Sequence, residues 1–154
     1  MYLGVSTLNL DAKGRLAIPA RYRETLAGEC ASRVVLTINP SKTNRCLLLF
    51  PENEWLSVAR KLADLPFTDE KGQALKRLLL GHAAELELDA QGRIRVSPEL
   101  RDFAGLGKRV TLFGQINKFE IWNADGIEGD RERWMDVAES KDVEGSDQLK
   151  EFTL

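Results

Sequence analysis

Asp11 and Arg15 stand four residues apart with Gly14 between them, and Asp89 and Arg93 flank Gly92 in the same way. An arginine held at the edge of a rigid turn presents a planar fork of donors. That fork suits guanine O6 and N7, or phosphate oxygens. The aspartate would repel a phosphate, so its expected part is structural. It fixes the turn by accepting a backbone N–H two residues on, and it orients the arginine. Lys13, at the tip of the first turn, is better suited to a phosphate than to a base. Gln91 replaces it in the second copy, with less charge and more hydrogen-bonding selectivity. Arg95 alternates with Arg93 and so faces outward with it, while Arg21 and Arg23, just after the first motif, are candidates for backbone contacts.

These residues belong to a longer repeat. Leu8 to Ile18 recurs as Leu86 to Val96, with Leu, Leu, Asp, Ala, Gly and Arg identical at matched positions. Such a repeat marks a duplicated unit that completes its core with copies of itself. Leu8, Leu10, Leu16 and Ile18 alternate with polar or small residues, as do Leu86, Leu88, Ile94 and Val96, which is the mark of strands with one buried face. The Asp-x-x-Gly between them reads as a type I turn closed by a left-handed glycine. Each copy is therefore expected to be a hairpin followed by a short helix. Ala20 to Leu26 carries the first, and Ser97-Pro98-Glu99 opens the second with an N-cap, a proline at the first helical position and an acid at the positive end. Gly105 and Gly107 end it. Val34–Leu36 then matches Val110–Leu112, and Leu47–Phe50 matches Phe119–Trp122, giving strand, turn, strand, helix, strand, loop, strand twice. A unit of this size has little core alone. Two could close on each other or swap hairpins with other chains, and the pattern leaves both open.

Between the repeats, Pro51 to Glu54 opens a helix with Trp55, Val58, Leu62 and Leu65 on one face. Thr68 is placed to cap a second helix, whose Leu75, Leu78 and Leu79 form a stripe that ends near Gly81. Lys76 and Arg77 read as solvated helix charges, with a second row of phosphate contacts as the alternative. The 154 residues, 43% of them hydrophobic, fit a folded protein of one or two small domains with no apolar run long enough for a membrane span. Met1 to Gly4 runs straight into the first strand, which leaves no room for a targeting peptide. Cys30 and Cys46 fit no metal spacing and are expected as reduced thiols. The formal net charge of −2 hides an uneven distribution: residues 124–154 carry ten acids and four bases, so the remaining body is net basic.

The paired Leu-Asp-x-x-Gly-Arg motifs, Pro19-Ala20-Arg21-Tyr22-Arg23, Leu78 to Ala83 and Gly114 to Trp122 together resemble the MraZ family, over Gly4 to about Trp122. The resemblance implies an α+β, β-dominated fold: two tandem SpoVT/AbrB-type swapped-hairpin domains, barrel-like, joined by a helical connector and assembled in an oligomeric ring. The expected division is residues 5–51 and 83–125 for the domains, 52–82 for the connector and 126–154 for an acidic helix or tail. It also implies a cytoplasmic, nucleoid-associated regulator that represses its own operon and the division and cell-wall gene cluster. Short tandem repeats in promoter duplex DNA would be its target. The Asp-x-x-x-Arg element presented to that DNA falls on Asp11 to Arg15 and Asp89 to Arg93. Two stretches depart from the family pattern: Asn39 to Arg45 before Cys46, and Ala124 to Gly129, where the last helix should begin.

A single Asp-x-x-Gly-Arg would read as a turn stabilised by an Asp–Arg pair with no ligand. Two copies on a basic body favour binding. The alternative in a different class is an antitoxin-like module that holds a protein partner through its acidic tail. No Ser/His/Asp or Cys/His constellation and no Gly-rich phosphate loop appears, so no enzyme activity, cofactor or metal is expected. His82 is read as capping or packing at the connector's end, and Trp55, Trp122 and Trp134 as core or interface residues.

Overall fold

The computed structural model describes residues 1–141, 147–152 and 154. The first repeat forms β1 (Tyr2–Asn9), β2 (Arg15–Ala17), α1 (Ala20–Cys30), β3 (Arg33–Ile38) and β4 (Leu47–Pro51). The connector forms α2 (Glu52–Ala63) and α3 (Glu70–Leu79). The second repeat forms β5 (Ala84–Glu87), β6 (Arg93–Arg95), α4 (Pro98–Ala104), β7 (Arg109–Ile116) and β8 (Phe119–Asn123), followed by α5 (Ile127–Glu139) and α6 (Asp147–Glu151).

The two repeats build one sheet between them. Its six strands run β1-β7-β8-β4-β3-β5, every neighbour antiparallel, and reading from either end exchanges one repeat for the other. The short strands β2 and β6 pair separately as a two-stranded ribbon. The expected hairpins are thus corrected. β1 does not ladder with β2: its whole length, from Tyr2 opposite Ile116 to Asn9 opposite Arg109, is taken by β7 of the other repeat. Only the Leu10–Leu16 bridge spans the first turn. The swap takes place within this chain, and the alternating leucines are buried by it. Leu10, Leu16, Ile18, Leu88, Ile94 and Val96 share one core cluster, with Leu8 and Leu86 half-buried against it. The expected barrel is corrected too. Among the described residues β1 and β5 lie at opposite edges of an open sheet, so no ladder closes it.

Strand residues alternate between two cores, one on each face of the sheet. Val34, Leu36, Leu47, Leu49, Phe119 and Ile121 face the ribbon, α1 and α4. Val35, Leu48, Phe50 and Trp122 face the opposite way, where Trp55, Val58, Leu79, Ile127 and Trp134 cover them. Burial on both faces explains why Val34–Leu36 of β3 and Leu47–Phe50 of β4 read as apolar runs without alternation. Replacing the fully buried Leu16 or Leu49 by alanine would cost about 2–5 kcal/mol.

Local signals act mostly as the sequence reads. Ser97 Oγ accepts from the Leu100 amide at 3.3 Å, and Gly105, at φ 62°, ends α4. α1 runs to Cys30, one turn past the expected Leu26, and closes on Ala31 in the left-handed region. The cap of α3 is Asp69, not Thr68: its carboxylate accepts from the Lys71 amide at 3.1 Å. Leu65 falls beyond α2, where its side chain packs against Gly72. Lys76 Nζ donates to the Leu65 carbonyl at 3.1 Å and so ties the connector together, while Arg77 is exposed. His82 Nδ1 lies 2.9 Å from the Leu78 carbonyl, at the end of α3, with its ring facing Phe103. Both cysteines are free and buried, and burial pushes the Cys46 thiol up to about 12.

Candidate nucleic-acid interface

The two motif turns have the same construction. Asp11 Oδ1 accepts from the backbone amides of Lys13 (2.9 Å) and Arg15 (2.8 Å), while Oδ2 accepts from Arg15 Nε at 2.7 Å. Asp89 Oδ1 accepts from the amides of Gln91 and Arg93, and Oδ2 from Arg93 Nε, all at 2.9 Å. Backbone bonds from Gly14 to the Asp11 carbonyl and from Gly92 to the Asp89 carbonyl, each 2.9 Å, complete the turns. Gly14 and Gly92 sit at φ +80° and +73°. These donors stabilise the ionised carboxylates and hold both aspartates below the usual carboxylate range. The amide of Arg15 or Arg93 is the largest cause in each case. Asp11 and Asp89 therefore occupy the structural place that the sequence suggests.

The ribbon sets the direction of the arginines. Arg15 lies opposite Arg95, Leu16 opposite Ile94, and Ala17 opposite Arg93. Leu16 and Ile94 are buried, so the alternation turns Arg15, Arg93 and Arg95 to the other face, away from the core. Like charges directly across a strand pair are destabilising, and a polyanion would relieve them. In Arg15 and Arg93 the aspartate engages Nε, and among the described residues no hydrogen bond occupies the Nη groups. Each fork is thereby fixed at its base with its outer donors open, the state from which a bidentate contact costs least rotamer freedom. Lys13 and Arg95 form no ion pair among the described residues.

Of the two other candidates, Arg21 is tied to β1 and Arg23 reaches the second motif turn. Arg21 Nη2 donates to Ser6 Oγ on β1 at 2.8 Å, with its guanidinium over the Tyr22 ring. Arg23 Nε donates to the Ile18 carbonyl at 2.6 Å and packs across Gly92, where an added Cβ would collide with it. The residue that sequence reasoning missed is Arg101, the repeat counterpart of Arg23. It packs near Gly14, and among the described residues its buried Nε has no hydrogen-bond partner. The signal was available: Arg-Tyr-Arg at 21–23 aligns with Glu-Leu-Arg at 99–101.

The first helix of the acidic segment, α5, lies elsewhere. Ile127 and Trp134 of α5 join the core cluster on the opposite side of the sheet from the ribbon, with the Trp134 ring edge-on to Trp122. The departing loop at 39–45 meets it there, as Asn44 Oδ1 accepts from Trp134 Nε1 at 3.3 Å and Arg133 Nη1 at 3.1 Å. Among the described residues no group of three or more His, Cys, Asp or Glu side chains could hold a metal ion. No described helix is long and apolar enough to cross a membrane.

The family model described as "MraZ protein, putative antitoxin-like" matches residues 1–78 and again 79–148, so both repeats are covered. The chain belongs to the MraZ family. Relatives similar over their full length include the transcriptional regulator MraZ of Halorhodospira halophila, at 47% identity over 154 residues and 100% of each chain. The proteins of the same name from Thioalkalivibrio sulfidiphilus and Shewanella baltica are 46% and 44% identical, again over 100% of each chain. The double match to the family model gives the internal repeat its meaning: one ribbon is assembled from equivalent strands of two family units.

Proposed function

We propose that this chain is a sequence-specific DNA-binding transcriptional regulator that inserts its β2–β6 ribbon into the major groove of promoter DNA. The observation that carries this reading is the outward row of Arg15, Arg93 and Arg95, with the two motif forks held at Nε by Asp11 and Asp89. A two-stranded ribbon fits the width of the groove, and an arginine fork matches guanine. Gln91 and Lys13 at the two tips add a hydrogen-bonding group and a phosphate contact. Family membership supports the regulatory role, since the curated relatives are named transcriptional regulators. We read the chain as a cytoplasmic, nucleoid-associated repressor of its own operon and of the division and cell-wall gene cluster. In this reading residues 5–51 and 83–125 are repeat units around a 52–82 connector, followed by the acidic 126–154 segment.

One ribbon reads a short site, so the reading includes a ring of copies addressing a row of short boxes at high effective concentration. The hairpin faces do not supply the subunit contact, because they are buried within the chain. Leu3 and Val5 of edge strand β1, 54% and 50% exposed, are the surface that supports association. The decisive experiment is a gel shift on the chain's own promoter, paired with light scattering of protein alone and of the complex. A salt-sensitive shift by an oligomer that Arg15→Ala and Arg93→Ala each abolish or greatly weaken is expected. A stable 17 kDa species that ignores promoter DNA would overturn the reading.

A further inference from the structure

The two turns of the ribbon are alike in backbone but unlike in the charges around them. Beside the first turn lies a cleft of about 460 Å³ whose walls include Asn9, Asp11, Arg101 and Lys108. Lys13 follows on the same turn. The repeat places Glu87, Asp89, Arg23 and Ser32 at the matching positions of the second turn, with Gln91 in place of Lys13. The match with Ser32 is visible in the backbone, because Leu10 donates to the Lys108 carbonyl at 2.8 Å as Leu88 does to that of Ser32 at 2.9 Å. Only the first turn therefore has an excess of cations: Lys13, Arg101 and Lys108 join Arg15 there, against the single carboxylate of Asp11. The second turn sets Arg23 and Arg93 against Asp89 and Glu87.

The two equivalent arginines also differ in how they are satisfied. Arg23 spends its Nε on the Ile18 carbonyl, whereas Arg101 Nε is buried with no partner among the described residues. A buried donor left unpaired in a native fold calls for a partner. Asp11 lines the cleft as a carboxylate, and its ion pair with Arg15 offsets part of its repulsion of an incoming anion, leaving Arg101 and Lys108 to outweigh the rest.

We propose that Arg101 and Lys108 hold a backbone phosphate of bound DNA in this cleft. The first turn then adds a phosphate anchor beside Arg15, while base choice falls to the row of Arg15, Gln91, Arg93 and Arg95. This inference rests on the reading of the ribbon as a DNA-binding element. It is tested with the full chain, on a duplex carrying its own promoter region and on a scrambled duplex, by titration across a salt series. Arg101→Gln and Lys108→Gln should each weaken both duplexes by the same factor, about fivefold at 0.15 M salt. The salt slope should fall in each, by up to about 0.9, the share of one neutralised phosphate. The preference for promoter over scrambled DNA should not change. Lys108 is exposed, so its variant keeps the test decisive even if Arg101→Gln disturbs the fold. Failure of the wild-type protein to bind either duplex would remove the DNA reading itself. Wild-type binding with an unchanged slope in both variants would overturn the cleft alone. If the wild-type chain also binds inorganic phosphate and a variant loses that binding while duplex binding stays intact, the cleft serves a free anion and the proposal falls too.

Discussion

The Val96 amide donates to the Gly14 carbonyl at 2.7 Å, so the motif turn of the first repeat is fastened by the strand exit of the second. The reciprocal bond, Ile18 to the Gly92 carbonyl at 2.9 Å, fastens the other turn. Each motif turn is thereby fastened from the opposite repeat as well as by its own aspartate. The arginine row is thus a product of the intrachain swap.

The glycines should matter more for folding than the arginines they position. A Cβ on Gly14 would lie 2.5 Å from the Val96 carbonyl oxygen, at a φ of +80° that β-branched residues strongly disfavour. Gly14→Val should lose about 1–2 kcal/mol from the left-handed backbone, and more from the clash with Val96. Gly92→Val meets the Arg23 guanidinium instead, a side chain that can move, so it should be the milder of the two. Urea melts check this order. Wild-type stability in both variants would rule out the turn assignment.

Arg15→Ala and Arg93→Ala should leave the melting transition nearly intact, because both side chains stand partly exposed outside the core. Removing a base-reading arginine takes away about 1–3 kcal/mol of discrimination per base pair read, roughly a 5- to 150-fold drop in preference for the promoter. Lys13→Ala should instead weaken promoter and random DNA alike and flatten the salt slope. Competition binding with the two duplexes separates these outcomes, and a wild-type preference in Arg15→Ala would return that residue to a purely structural part.

The depressed aspartates make the turns sensitive to acid. Their pKa values are lowered in the folded state, so the stability they contribute is fully present above the unfolded value of about 3.9. It is lost as pH falls through the lower folded values. Thermal melts should therefore be flat in this respect near neutral pH and should drop below about pH 4. Asp11→Asn combined with Asp89→Asn should lower the melting temperature at pH 7 and shrink the acid-dependent drop. An acid limb of unchanged depth would assign it to other carboxylates.

How much of this was legible depended on how local each signal was. The turn at Asp11–Gly14, the cap at Ser97 and the stop at Gly105 are decided within a few residues, and the sequence patterns identify them. The choice of β7 rather than β2 as the partner of β1 is not local. Leu8 and Leu10 announce a half-buried strand but carry no information about which strand lies beside it. Asp69 displaced Thr68 as a cap because two capping residues stood side by side, and only the backbone angle selects one. Arg101 was hidden for a different reason: an arginine in a short helix looks like a solvated charge until the swap carries it over Gly14.

The last expectation concerns the acidic segment. Its first half is not a free tail, since Ile127 is buried and Trp134 packs against Trp122 and Phe113. Removing all of 124–154 would strip Ile127 and Trp134 from the cover of one sheet face, so loss of binding in that deletion would not separate a lost contact from a loosened fold. A cut after Glu139 spares α5 and still removes six charged residues. Affinity for promoter DNA should be unchanged or tighter after this cut, because the acids removed compete with phosphate only through the field. Trp134→Ala, in contrast, should destabilise the chain by about 2–3 kcal/mol, somewhat less than the 3–5 kcal/mol typical of a fully buried tryptophan. Urea melts followed by fluorescence read the second effect and salt-series titration reads the first. Abolished binding in a shortened chain that still melts like wild type would move the interface from the ribbon to the acidic end.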